Sequence, residues 1–267
     1  MCALGLAGGL PGRFWKNMID LHCHILPGVD DGAAGLEVSC RMAELAAGCG
    51  IDTIVATPHC NTRNAQGNYR SPELLARCRR LQQALDEAHI GVRILPGAEV
   101  LMRGDLPALL EQKRLQSLNN SRYLLVEFYF DEPPEYMLRC LHLVKKAGYV
   151  PVVAHPERYG AVQDDPELAV YWAQNGCVLQ ANKGSLLGRL GQGSLRTSQT
   201  LLRRGFYAAI ASDAHGCEVR TPDMRQLCTA LERQYPVEYL QLLLYENPMR
   251  ILHDRPIVPF SREDGAP

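Results

Sequence analysis

Residues 18–32 read MIDLHCHILPGVDDG, and the fold of this 267-residue chain turns on how that stretch is read. The apolar run Met18 to Leu21 leads into two histidines separated by one cysteine, then into a loop rich in Pro, Gly and Asp. A short apolar run ending in turn residues reads as a buried strand. Alternate strand side chains point the same way, so His22 and His24 share one side and Cys23 takes the other. Asp31 lies just beyond, in the loop.

The same pattern recurs along the chain. Apolar runs predict strands near 18–22, 52–57, 92–98, 123–128, 150–154, 177–181 and 207–212. Their starts lie about 27 to 40 residues apart, the spacing of repeated βα units. Between them, Ser71-Pro72 offers a helix cap followed by proline in the first turn, ahead of the stripe Leu74, Cys78, Leu81, Leu85 and Ala88. Leu36, Cys40, Ala43 and Ala47 form a second stripe, and 134–147 and 165–175 are shorter helical candidates. The expectation is an α/β fold with seven parallel strands, a distorted (β/α)7 barrel of TIM-like type, with a doubly wound open sheet as the alternative. No Gly-x-Gly-x-x-Gly follows the first strand and no Gly-x4-Gly-Lys-Ser/Thr occurs, so nucleotide cradles are not indicated. Gly184 to Gly193 reads as a loop. Three segments are expected: an extension at 1–17, a working domain at 18–255, and a polar, Pro-rich tail at 256–267.

Composition excludes several classes of function. Net charge is −1 with no block of one sign, which argues against a nucleic-acid surface. No run of about 18 apolar residues exists, and the start has no basic region before its apolar stretch, so neither a spanning helix nor a secretory signal is expected. Ten cysteines without a C-x-x-C pair read as reduced thiols in a cytoplasmic protein.

The polar residues at the strand ends carry the chemistry. His22 and His24 end the first strand and His59 follows the second. Glu99 follows the third, Glu127 ends the fourth, His155 ends the fifth, and Asp213 and His215 end the seventh. In a parallel barrel these C-terminal strand ends share one face, where active sites sit. A lone histidine there is ordinarily a hydrogen-bonded core residue, and a lone Glu127 or Asp213 an ion-pair or cap residue. Five of the eight histidines fall on that face, while His89, His142 and His253 fall elsewhere and read as structural. Buried imidazoles and carboxylates need compensation, which bound cations supply. Nine nitrogen and oxygen donors, Asp31 included, exceed the four of a tetrahedral ion, so two or three divalent metals with a bridging carboxylate fit. Manganese, iron, zinc and magnesium suit such donors. Arg158 and Arg220 stand beyond His155 and His215 and offer guanidinium forks for phosphate. Phe128, Tyr129 and Phe130 could border an aryl ring, although ordinary rim packing is the simpler reading. Lys183 adds a positive charge near the sixth strand end.

These segments, with Ala56-Thr-Pro-His59, Pro96-Gly-Ala-Glu99, Leu125-Val-Glu-Phe128, Ala154-His-Pro-Glu-Arg158 and Ala211-Ser-Asp-Ala-His215, resemble the polymerase-and-histidinol-phosphatase (PHP) superfamily. Within it they look most similar to the manganese-dependent tyrosine-protein phosphatases of bacterial capsule and exopolysaccharide biosynthesis. The resemblance covers roughly residues 18–255. It implies that His22, His24, Asp31, His59, Glu99, Glu127, His155, Asp213 and His215 bind metal, manganese above all. It implies phosphate binding by Arg158 and Arg220, and a tyrosine-phosphorylated bacterial kinase as substrate. Metal ions would then activate water for in-line attack on phosphorus, with no cysteine nucleophile. Indeed, no cysteine has arginine six positions later, the spacing of cysteine-dependent tyrosine phosphatases. Two rival readings remain: a histidinol-phosphatase or other small-molecule PHP phosphoesterase, and a PHP-like module that binds without catalysis.

Overall fold

The structure, a computed structural model, describes residues 15–62 and 67–260. The ends of the expected extension and tail, 1–14 and 261–267, lie outside the described residues. Nine strands run in order: β1 Met18–Cys23, β2 Ile51–Ala56, β3 His59–Cys60, β4 Arg93–Pro96, β5 Glu99–Leu101, β6 Tyr123–Glu127, β7 Val150–Ala154, β8 Val178–Asn182 and β9 Tyr207–Ala211. Every pairing is parallel, in two sheets, β1-β2-β4 and β3-β5-β6-β7-β8-β9. The fold is thus α/β with parallel sheets. Strand order follows the chain, without the reversal of a doubly wound sheet. At the far end β9 returns to β1, where Cys23 bridges Ala214.

Nine strands replace the expected seven because two of them break. The run at 52–57 becomes β2 and β3, interrupted at Thr57-Pro58; the run at 92–98 gives β4, a break at Gly97-Ala98, and then β5. Pro58 has no N–H for a ladder. At Gly97 the neighbouring strand comes so close that a Cβ would lie 2.7 Å from Val55 Cγ1. Both breaks fall at one level, so a separate short pairing starts above them and sets His59 directly beside Glu99.

Two apolar clusters sandwich the strands. The inner one holds Ile19, Leu21, Val55, Leu125, Val152 and Val178. The outer one joins Cys23, Leu124, Val126 and Val153 to the helices. Burying each such side chain contributes roughly 1.5–3 kcal/mol. The helix Pro72–Glu87 is capped as expected, with Leu74 N–H donating to Ser71 Oγ at 3.2 Å, and it buries Leu74, Cys78, Leu81 and Leu85. The helix Leu36–Ala47 is rotated from the expected stripe: it buries Ser39, Met42, Ala43 and Ala46 and leaves Leu36 exposed. Ser39 tolerates that position because its hydroxyl donates to the Ile25 carbonyl at 2.7 Å. Helices Pro134–Lys146 and Glu167–Gln174 match the expected positions. The Gly-rich stretch at 184–193 is not simply a loop, since helices Lys183–Leu186 and Gln192–Arg203 claim both of its ends. At the chain's edges, Trp15 Nε1 donates to Glu232 at 2.6 Å, and Asn247 exchanges two hydrogen bonds with the Val258 backbone. No described helix is long and apolar enough to cross a membrane.

Candidate metal centre

A β-bulge aims the first two histidines. Between Asp20 and Cys23, β1 advances three residues while β2 advances two. Ile19 and Leu21 face the inner cluster, so simple alternation would turn His22 outward. The extra residue shifts the phase, as bulges beside functional sites do. His22 and His24 then enter the site while Cys23 packs outward, fully buried in the outer cluster. Burial pushes the Cys23 thiol well above its usual range, which disfavours the thiolate that a nucleophile needs.

The far strand ends use strained backbone. His155 and Asp213 follow β7 and β9 with φ of 34° and 51°, in the left-handed region. Such residues cost about 1 kcal/mol or more and tend to cluster at functional sites. Backbone bonds hold them: His155 N–H to Gln180 O at 2.9 Å and Asp213 N–H to His22 O at 2.8 Å.

The nine sequence-predicted donors come together, with Glu99 at the centre. Its Oε1 lies 3.2 Å from His22 Nε2 and 3.0 Å from His155 Nε2. Its Oε2 lies 3.3 Å from His24 Nε2 and 3.0 Å from His59 Nδ1. Glu127 stands 3.6 Å from His59 and 3.8 Å from His155. Asp213 Oδ1 is 3.5 Å from His22 and 3.6 Å from His24. Asp31, the most exposed donor at 67%, bridges His59 and His215 at 3.4 and 3.5 Å. Four overlapping groups of donor atoms result: His24, Asp31, His59 and His215; His22, Glu99 and His155; His22, His24 and Asp213; His59, Glu99 and Glu127.

The chemistry of this set fits cations. Gln180 Oε1 lies 2.9 Å from His22 Nδ1, and Asp30 Oδ2 lies 2.8 Å from His24 Nδ1. Both partners are acceptors, so each Nδ1 carries the proton and each Nε2 turns a lone pair into the site. The two Nε2 atoms stand 3.2 Å apart, facing carboxylate oxygens. Lone pairs crowded on lone pairs need a metal or protons between them. Without metal, protons fill the gap. Burial alone would depress His22, but the charges of Glu99 and Asp213 outweigh it and hold its pKa up at about 9. His59 rises in the same way, against burial, to about 10 beside Glu99 and Glu127. Burial and the Glu99 charge push Glu127 up to about 7, while burial and the charge of His24 push His215 down to about 3.

The arginines meet the donors through Asp213. Arg220 Nη2 reaches Asp213 Oδ2 at 2.6 Å, and Arg158 Nη1 approaches the same oxygen at 3.5 Å. Arg158 also lies over the Phe130 ring, 4.3 Å from its centroid. A cleft of about 700 Å³ opens beside them, lined by Asp31, His59, Glu127, Tyr129 and Phe130. Tyr129 and Phe130 are each 45% exposed, whereas Phe128 is buried. Lys183 points elsewhere: its ammonium donates to the carbonyls of Thr221 and Asp223, clamping the loop that carries Arg220.

Several supporting residues stand outside the set of nine. Asp30 accepts from His24 Nδ1, the His59 N–H at 2.9 Å and the Gly32 N–H at 3.0 Å. Burial would raise its pKa, but these bonds hold it below the usual carboxylate range. Gly32 packs so tightly that a Cβ would collide with the His24 carbonyl. β8, which supplies none of the nine donors, supplies Gln180 and Asn182, and Asn182 Nδ2 donates to Asp213 Oδ2 at 2.6 Å. Buried Asp20 accepts from Ser212 and His22 backbone N–H groups, tying β9 to β1.

The chain is similar to several known proteins. A family model described as capsular polysaccharide synthesis, CpsB/CapC, matches residues 18–253. The tyrosine-protein phosphatase YwqE of Bacillus subtilis is 35% identical over 242 residues, 90% of this chain and 93% of that one. The tyrosine-protein phosphatase CpsB of Streptococcus pneumoniae is 29% identical over 245 residues, 89% of this chain and 99% of that one. A crystal structure from work on YwqE of B. subtilis and CpsB of S. pneumoniae, described as unique metal-dependent tyrosine phosphatases, superposes with a TM-score of 0.83 at 33% identity. It covers 91% of this chain and 97% of its own. The chain belongs to the CpsB/CapC family of capsular polysaccharide synthesis.

Proposed function

We propose that the protein is a metal-dependent phosphotyrosine-protein phosphatase whose substrate is a tyrosine-phosphorylated bacterial kinase of capsule or exopolysaccharide synthesis. One observation carries the reading. Nine nitrogen and oxygen donors gather in overlapping groups, Glu99 among them, with two arginines at their edge, in a chain whose relatives are named tyrosine phosphatases. The nine would hold two or three divalent ions, manganese first and iron, zinc or magnesium as alternatives. The return of β9 to β1 supports a distorted seven-stranded barrel of TIM-like form, with the site at its C-terminal face. A kinase phosphorylated from ATP places the reaction in the cytoplasm.

Bound divalent ions supply Lewis acidity and a water ionised near neutral pH. The chain's own groups do the rest. Arg158 and Arg220 leave Asp213 to grip phosphoryl oxygens and offset the charge that develops on them. Phe130, braced by Arg158, borders the space where an aryl ring would lie. Asp30 and Gln180 hold the His24 and His22 lone pairs on target. A phenolate leaving group has a reference pKa of about 10, so it needs less protonation than an alkoxide.

The test measures metal content together with turnover of a phosphotyrosyl peptide and of histidinol phosphate. The expected result is bound metal and a preference for the peptide. Preference for the small alcohol ester overturns the substrate, and absence of both metal and turnover leaves a binding module.

A further inference from the structure

A second cleft, of about 570 Å³, lies beside the first and shares Gly28 and Val29 with it as a common wall. Arg70, Arg77 and Arg114 line it, against a single carboxylate, Glu73. The chain as a whole carries net charge −1, so this local excess is not a by-product of a basic protein. All three arginines are exposed. The arginine ion pairs formed among the described residues involve none of them.

The cleft is also built, not incidental. Arg114 lies over the Tyr69 ring, 4.3 Å from its centroid, and the Tyr69 hydroxyl donates to Asn61 Oδ1 at 3.1 Å. The Arg70 N–H donates to Arg114 O at 2.8 Å, joining two sides of the cleft. Asn68 Nδ2 donates to Val29 O at 3.0 Å and to His59 O at 2.9 Å. The wall carrying the arginines is therefore tied to the strand end that carries His59. Guanidinium groups with no ion-pair partner among the described residues select carboxylate or phosphate oxygens. Clefts of these sizes with a shared wall have centres on the order of 10 Å apart, about three residues of extended chain.

We propose that this second cleft is a subsite for an anionic side chain of the substrate polypeptide, about three residues from the phosphotyrosine. The proposal rests on the phosphotyrosine reading above and adds to it a sequence preference. A phosphoprotein threading both clefts would seat its phosphate at the donor cluster and a carboxylate or second phosphate among Arg70, Arg77 and Arg114.

The experiment uses the manganese-loaded full chain. Phosphotyrosyl peptides of neutral sequence carry one glutamate, moved through each position within about five residues on either side. A parallel set carries a second phosphotyrosine instead, which separates the two anion sources. p-Nitrophenyl phosphate, too small to span both clefts, reports the metal centre in every variant. Expected is a KM about fivefold lower for an anion near the third position on one side, the size of one or two exposed ion pairs, shrinking as salt rises. The Arg70→Ala, Arg77→Ala double variant should remove that preference, lowering the ratio of peptide to p-nitrophenyl phosphate turnover. Arg77→Glu should turn the preference towards lysine. A flat positional scan, or a preference that survives both variants, overturns the subsite while leaving the phosphatase reading intact. Absence of turnover on every phosphoester, with metal bound, overturns both.

Discussion

Asp30→Asn tests whether the site depends on how its histidines are aimed. Asp30 Oδ2 accepts from His24 Nδ1 at 2.8 Å and from the His59 N–H at 2.9 Å, while Oδ1 accepts from the Gly32 N–H at 3.0 Å. Asparagine has the same shape but one acceptor oxygen. With that oxygen towards His24, the amide nitrogen faces the Gly32 N–H, donor against donor. The Gly32 bond is then lost, at about 1 kcal/mol, and the His24 bond loses its charge assistance, at about another 1 kcal/mol. With the amide reversed, its nitrogen faces His24 Nδ1, which must now accept; the ring proton moves to Nε2 and blocks the lone pair that faces the site. The first arrangement keeps more bonds, so the expected loss is about 2 kcal/mol. Passed to metal binding, that is about thirtyfold, within the 10–100-fold typical of groups that support metal ligands. The assay is calorimetric titration of metal-free protein with manganese at fixed pH, because protons compete for these ligands. Asp131→Asn, at an exposed position, is the control. A Kd for Asp30→Asn within about threefold of the native value would refute the reasoning, since the lost energy is more than tenfold at 1.4 kcal/mol per decade.

The remaining predictions concern the metal, the phosphate groups and the loop between them. Chelation should abolish turnover and manganese should restore it, while thiol alkylation of the folded protein should spare activity, since Cys23 and Cys60 are both fully buried. Activity surviving chelation and dialysis would remove the metal from the reaction. Arg220→Ala should lower kcat/KM by about 10²–10³, as for loss of one charge-stabilising donor, and Arg220→Lys should recover little because an ammonium lacks the paired fork. Lys183→Met removes the clamp on Thr221 and Asp223 and should lower kcat/KM about tenfold in the native background. In an Arg220→Ala background it should cost almost nothing, and equal losses in both would show that Lys183 does not act through Arg220.

What could be read from the sequence follows a physical division. The nine donors were legible because parallel strands place their C-terminal ends on one face, so residues far apart in the chain can be assigned to one place from strand ends alone. The aiming devices were not legible. The bulge in β1 depends on how Asp20 to Cys23 pairs with β2, and no local pattern in MIDLHC announces it. The break that pairs His59 with Glu99 needs Pro58 and Gly97 at one level of neighbouring strands, which becomes visible only when the strands are side by side. The helix Leu36–Ala47 turns away from the stripe its apolar residues suggest because Ser39, a polar residue, is satisfied by a carbonyl contributed by the strand-end loop.

Asp30 and Asp31 bring the two kinds of information together. As neighbours in one loop they are chemically equivalent in sequence. In the fold Asp31 turns outward to bridge His59 and His215, and Asp30 turns inward to fix His24 and the His59 backbone. The pair thus divides labour between donating to the site and orienting its donors. β8 makes the same division between strands: it supplies no donor, yet Gln180 orients His22 and Asn182 holds Asp213. A donor must present one lone pair at one place, which restricts it to a few residue types. An orienting partner needs only an acceptor or donor within about 3 Å, which asparagine, glutamine, aspartate or a backbone carbonyl can provide equally well. Orienting residues therefore leave a weak trace in sequence even where the affinity of the site depends on them, and this is why the Asp30→Asn titration probes the fold's contribution more directly than removal of any ligand.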